Sequence, residues 1–122
     1  MVGSEKDDLG RAVELFNSGH YYEAHEVLER LWTDAEGDNR LLYQGVLQVA
    51  VGLHHAARGN FKGADSLLRR GLSRLAGLPA EALGVGVVGL REQTKTAISL
   101  YGQGATAPPI VVAYSSQWRG RS

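Results

Sequence analysis

The sequence predicts an all-α fold: a single bundle of about five helices over residues 1–102, built from two similar helical hairpins, with an extended C-terminal tail over residues 103–122. Three observations predict it. Apolar residues recur at three- and four-residue steps through most of the first hundred positions, the pattern of helices with one buried face. Breaks at Asn17-Ser18-Gly19, Gly59-Asn60 and Gly77-Leu78-Pro79 cut that pattern into helix-length pieces. Finally, Gly19-His20-Tyr21-Tyr22-Glu23-Ala24 matches Gly59-Asn60-Phe61-Lys62-Gly63-Ala64 at an offset of forty residues, with Val27-Leu28 falling on Leu67-Leu68. Each copy reads as the joint of a hairpin: helix end, glycine turn, aromatic lid, then a small alanine where two helices meet.

Residues 4–8 are a polar lead into the first helix, whose Leu9, Ala12, Val13, Leu15 and Phe16 fall at helical spacing. Asn17-Ser18-Gly19 closes it, because glycine readily takes the left-handed conformation common at helix C-termini. A second helix runs over residues 21–32, or as far as 34, with Tyr21, Ala24, Val27, Leu28, Leu31 and Trp32 on one broad apolar face. After a polar connector at 35–38 comes a third helix over 39–58, with Asn39 as its expected N-cap. It is apolar on nearly every side and therefore central. Its Gly45 and Gly52 share a face and each cost ~1 kcal/mol relative to alanine; close approach of a neighbouring backbone is the simplest compensation. A fourth helix covers 61–76, with Ala64, Leu67, Leu68, Leu72 and Leu75 inward and Lys62, Arg69, Arg70 and Arg74 mostly outward. The glycine-rich stretch 81–89 is ambiguous, and a fifth helix covers 90–101. Beyond it, Gly104, Pro108 and Pro109 form a linker to an apolar run, Ile110 to Tyr114. That run, together with Trp118, is expected to dock on the core or on another subunit.

The length of 122 residues suits one domain. A hydrophobic share of 43% with 21% charged residues is that of an ordinary globular protein rather than a disordered chain. Cysteine is absent, which excludes disulfides, thiolate metal sites and thiol nucleophiles, and fits a cytoplasmic location. The polar start with Glu5, Asp7 and Asp8 does not read as a secretory signal, and no apolar run approaches the ~20 residues of a membrane span. The zero net charge is unevenly spread: residues 1–40 hold ten of the 13 acids against four basic residues. Lys and Arg form no dense block with interleaved aromatics, so no nucleic-acid surface is expected.

Groups capable of chemistry gather on two helices. On the second, His25 lies at the edge of the apolar face, Glu29 follows one turn later on nearly the same line, and Glu26 points further toward solvent. On the third, Gln44, Gln48 and His55 share a line, with His54 about 100° away. Packed as a hairpin pair, the two helices can bring His25 and Glu29 toward Gln44 and Gln48. Four explanations compete: a satisfied buried polar network, a small-ligand or peptide pocket, a divalent metal site using His25, Glu26 or Glu29, and His54 or His55, or acid–base catalysis by His25 and Glu29. His-Glu-Val-Leu-Glu begins like the zinc-protease HExxH, but Glu29 stands where its second histidine belongs, and no further motif completes a bundle metal site. Of the adjacent pair His54 and His55, one is expected buried and one exposed.

The hairpin joint resembles that of a tetratricopeptide, although a period of forty exceeds the ~34 residues of that repeat. A wider match is more specific. Over residues 9–78 the order F-x-x-G-x-Y-x-E-A-H-E-x-x-E, then L-x-Q-G-x-x-Q-x-A, a histidine and G-N-x-x-G-A resembles the helical "domain of unknown function" family number 309. The resemblance implies an all-α bundle, found largely in bacteria and archaea, with no established activity. It carries over to Phe16, Gly19, the Tyr21-Tyr22 pair, Glu23, Ala24, His25, Glu26, Glu29, Trp32, Gln44, Gly45, Gln48, His54, Gly59, Asn60, Gly63 and Ala64; nothing transfers to the tail after about Tyr101. The expected function is a helical binding or interaction module, able to self-associate. Its candidate site is a polar cleft between helices two and three, formed by His25, Glu26, Glu29, Gln44, Gln48 and His54, for a small ligand or protein partner. The alternative is a metal-dependent or acid–base enzyme, hydrolase-like, using His25 and Glu29 in that cleft. No cofactor is indicated.

Overall fold

Ser4 opens the first helix by accepting a hydrogen bond from the Asp7 amide at 3.1 Å, with Glu5, Asp7 and Asp8 at the positive end of the helix dipole. The computed structural model describes residues 4–117. In chain order it contains α1 (Glu5–Asn17), α2 (Tyr21–Thr33), α3 (Gly37–Ala57), α4 (Phe61–Leu75), β1 (Glu81–Ala82), β2 (Val85–Gly86) and α5 (Val87–Gly102). The fold is an all-α bundle of five helices with one minimal hairpin added. No helix among the described residues is long and apolar enough to cross a membrane.

The internal echo has a bond-level cause. At Gly19 (φ 82°) the His20 amide donates to the Leu15 carbonyl at 2.8 Å and the Gly19 amide to Phe16 at 3.0 Å. At Gly59 (φ 80°) the Asn60 amide donates to His55 at 2.8 Å and the Gly59 amide to Ala56 at 3.0 Å. Both are Schellman caps. A third, which sequence periodicity does not reveal, ends α5 at Gly104 (φ 74°), where Ala105 donates to Leu100 and Gly104 to Tyr101. Ala24 and Ala64, the matched alanines, are both fully buried.

Two expected helix starts shift. Asn39 does not cap α3: the Glu36 carbonyl already accepts from the Arg40 amide, so the ladder is running two residues earlier and Asn39 lies in the first turn. Asp38 beside it favours that positive end. The fifth helix starts at Val87 because the Ala80 carbonyl accepts from the amides of both Val87 and Val88.

α3 is central, packed against α2 and α4. Its glycines face leucines of α4. A Cβ on Gly45 would lie 2.7 Å from Leu75, and one on Gly52 would lie 3.0 Å from Leu68. Gly71 of α4 comes nearer still to backbone: a Cβ there would sit 2.9 Å from the Gly45 carbonyl oxygen and 3.1 Å from the Val49 amide nitrogen.

The ambiguous stretch is β1–β2, an antiparallel hairpin whose two turn residues, Leu83 (φ 49°) and Gly84 (φ 82°), both lie in the left-handed region, as a tight hairpin turn requires. The tail docks on its own bundle. Ile110 and Val112 are buried, Tyr114 bridges Val85, and Gly86 and Ser115 donate backbone hydrogen bonds across the junction. Two side-chain amides act as strand partners. Asn17 exchanges a pair of hydrogen bonds with the Val112 backbone (3.0 and 2.8 Å), and Gln93 does the same with Val111 (2.8 and 2.9 Å). Trp118 lies outside the described residues.

Tyr43, fully buried on α3, donates its hydroxyl to the Glu5 carboxylate and so ties the start of α1 to the centre. Burial first, then this hydrogen bond and the charge of Glu5, raise its pKa far above that of a free phenol. Burial likewise raises Tyr21 and Tyr101. A folded-state pKa raised above the unfolded value stabilises the fold fully below the unfolded pKa, and that contribution is lost as pH rises past it. Stability should therefore fall above about pH 10. Urea unfolding between about pH 8 and pH 11 checks this; the decline should be shallower in Tyr43→Phe, and an equal decline in both proteins would refute it. For the helix contact, Gly71→Ala should cost ~1–3 kcal/mol through overpacking against backbone. Gly89→Ala, where a Cβ meets nothing within 4 Å, should stabilise by up to ~1 kcal/mol. Denaturant midpoints of the two variants give the comparison.

Candidate functional site

α2 presents successive residues to different surroundings. Tyr22, one turn before His25, leaves 55% of its surface exposed. Its ring centroid lies 5.5 Å from that of His25 on the same helix and 5.8 Å from that of His54 on α3. His54 in turn lies 6.1 Å from His55. The result is a row of four rings, His25–Tyr22–His54–His55, crossing from α2 to α3. Both histidines of the adjacent pair are half-buried, rather than one buried and one exposed. The reason for His55 is local: its Nδ1 lies 3.3 Å from the Asn60 side-chain nitrogen, and Asn60 uses its oxygen to cap α4 through the Gly63 amide.

Glu29 stands one turn beyond His25, with Oε2 3.8 Å from Nε2, a loose pair whose carboxylate is largely exposed. Glu26 is exposed and makes no ion pair among the described residues. Gln44 and Gln48 are partly buried on α3. No hydrogen bond joins His25 or Glu29 to either glutamine; Nδ1 of His25 and Oε1 of Gln48 are buried without protein partners. The expected satisfied network is thus not closed. The structure brings His25 together with Glu29 and, across Tyr22, with His54. Tyr22 is the member that chemistry-led sequence reasoning leaves out of the site, although its i,i+3 relation to His25 was readable.

Near the turn between the helices, the Arg40 guanidinium lies 4.5 Å above the Trp32 ring and donates to the Trp32 carbonyl at 3.4 Å. Among the described residues no three His, Asp or Glu side chains are grouped so as to hold a metal ion. Cavities lie elsewhere. A groove of about 1070 Å³ runs between α1 and the tail, past Arg11, Glu14, Asn17 and Tyr114. Smaller ones of about 290 and 190 Å³ lie against residues 106–110 of the tail. None of the three is lined by His25, Glu26, Glu29, Gln44, Gln48 or His54. The ring row thus lies outside these three cavities: it is made of three imidazoles and one phenol, with the exposed carboxylates of Glu26 and Glu29 beside it on α2.

Comparison with known proteins places these elements in a wider group. A crystal structure of a conserved hypothetical protein from Thermus thermophilus is 36% identical, with a TM-score of 0.64; the match covers 81% of this chain and 99% of that one. An uncharacterized protein of Aquifex aeolicus is 26% identical over 91 residues, which is 74% of this chain and 27% of that protein. The uncharacterized Bacillus subtilis protein YpuF is 39% identical over 57 residues, 46% of this chain and 33% of its own length. The matched region thus spans a third or less of these two relatives. The profile of the family described as "Domain of unknown function (DUF309)" matches residues 9–67, which include the whole ring row and all six candidate residues. The chain belongs to this family.

Proposed function

We propose that this chain is a helical interaction module whose contact face is the outer surface of α2 and α3, centred on Tyr22 between His25 and His54. The observation that carries the reading is Tyr22 itself: a large aromatic ring, more than half exposed, flanked by imidazoles from two helices. Tyrosine supplies wide contact area at small conformational cost, and such residues dominate the energetics of interfaces. The exposed acids Glu26 and Glu29, four and seven residues on from Tyr22, share its side of α2. A partner protein presenting a basic segment complements them. The relatives support a portable unit, since the matched region is nearly all of the Thermus protein and a third or less of the other two.

The competing reading is a metal-dependent or acid–base enzyme. It rests on the His25–Glu29 pair, the right kind of dyad for proton transfer. The Glu29 carboxylate of the pair is largely exposed, and no third candidate ligand is grouped with the two residues among the described residues, so the interaction reading is the better supported.

Affinity capture with the full chain from extract of the source cells, followed by dissociation constants for the recovered partner, tests the two. Tyr22→Ala should weaken binding by ~30-fold, as for an interface hot spot of ~2 kcal/mol, while its melting temperature stays near that of the parent. The double variant His25→Gln/Glu29→Gln should keep its fold and its partner to within about fivefold. Equal binding by Tyr22→Ala would overturn the proposal. So would stoichiometric zinc, manganese or iron in protein purified without added metal.

A further inference from the structure

Tyr21, next in sequence to Tyr22, turns about 100° away around α2 and enters a different environment. It lines a cavity of about 290 Å³, bounded also by Leu53 of α3, Phe61 of α4, Tyr101 of α5 and the tail prolines Pro108 and Pro109. The rings are set against one another. Phe61 packs on Tyr101 with centroids 5.5 Å apart, and Phe16 meets Tyr21 edge-on at 5.4 Å. No Asp, Glu, Lys, Arg or His contributes to the wall. The polar side-chain groups of the wall are the hydroxyls of Tyr21 and Tyr101 on the aromatic side and of Thr106 on the tail, and none of the three makes a hydrogen bond to protein among the described residues.

From this lining we propose that the cavity is a binding site for a small, neutral, planar aromatic molecule carrying a hydrogen-bond acceptor, held between the aromatic rings and the prolines and oriented by Tyr21 and Tyr101. The size suits it, lying at the lower end of the range for small-molecule pockets. The aromatic walls favour a flat ring in offset or edge contact. The absence of ionisable groups other than the two phenols disfavours a charged ligand, whose desolvation nothing in the wall would offset. The phenols are donors close to one another in an apolar setting: burial raises both pKa values, and Tyr101 raises that of Tyr21 further. They therefore remain protonated at neutral pH and present O–H groups to an acceptor. Tyr101, Pro108 and Pro109 lie outside residues 9–67, so the site depends on a part of the chain beyond the family match.

Quinoline and naphthalene share one shape and differ in a single ring nitrogen, an acceptor that is unprotonated at about pH 7.5, which makes them the decisive probes. Titrated into the full chain labelled with nitrogen-15, both should shift the amides of Tyr21, Ala57, Tyr101 and Ala107 saturably. Quinoline should bind ~5-fold more tightly, the size of one net hydrogen bond. In the double variant Tyr21→Phe/Tyr101→Phe, which keeps both rings, the preference should fall to about unity while naphthalene still binds. Ala56→Leu, which fills the cavity, should block both probes, and Tyr22→Ala should leave binding unchanged, separating this site from the contact face on α2 and α3. Absence of saturable shifts, shifts centred on Tyr22 and His54, or a quinoline preference that survives loss of both hydroxyls would each overturn the proposal.

Discussion

The structure depends on how closely α3 and α4 approach. Gly45 and Gly52 on one helix and Gly71 on the other remove three side chains from the interface. Leu68 and Leu75 fill the space opposite the first two, and Gly71 lets the α4 backbone settle beside the Gly45 carbonyl and the Val49 amide. A glycine inside a helix is unfavourable on propensity alone. The compensation is dense packing, which gains dispersion contacts with every atom brought within van der Waals range. With α3 held this way on one side, its other side is covered by α2, and α1 is tied to it through Tyr43 and Glu5.

From this follows the division of labour on α2. The helix lies at the edge of the bundle, so its buried stripe of Ala24, Val27 and Leu28 faces the core while residues on either flank reach separate places. Tyr21 goes to the side of Phe16, Phe61 and Tyr101. Tyr22 goes to the side of His25 and His54. A single helical step of about 100° thus feeds an apolar pocket on one flank and a polar face on the other. The glycine cap at Gly19 sets the phase of that step, because it fixes where α2 begins.

Much of the helical framework was legible because it is local. The Schellman turns at Gly19 and Gly59 involve residues at most five apart, and the same residue types recur wherever that geometry recurs. That Gly45 and Gly52 need a close neighbour was also legible, but the neighbour expected was backbone, and the atoms nearest both positions belong to the side chains of Leu75 and Leu68. Gly71 was not legible, because it stands among arginines and leucines where one glycine carries little signal. The tail was half legible: its apolar run foretold docking, and nothing foretold where. Asn17 and Val112 are 95 residues apart, and the contact is a side-chain amide imitating a strand edge. No periodicity encodes such a pairing. The hairpin at Leu83 and Gly84 escaped for a related reason: with two-residue strands, it is too short for alternation to show. At the candidate site, the chemistry-bearing residues were readable, but their grouping was not. Whether His25 meets a glutamine or a histidine on α3 depends on the ring of Tyr22, and ring placement is decided by packing.

The tail bears on what relatives can share. Residues 9–67 contain α1 from Leu9 onward, α2, α3 and about half of α4, hence every residue of the ring row. Any relative that folds this region has the elements from which to build the α2–α3 face, whatever follows it in sequence. The cavity behind Tyr21 is different. It needs Tyr101 from the end of α5 and the proline segment that Gly104 redirects across the bundle, and that segment is held in place by Asn17 and Gln93 clamping Val112 and Val111. Loss of the clamp would leave the face intact and open the cavity. The two proposed sites therefore have different structural requirements: one belongs to the hairpin pair, and the other to the particular way this chain folds its end back on it.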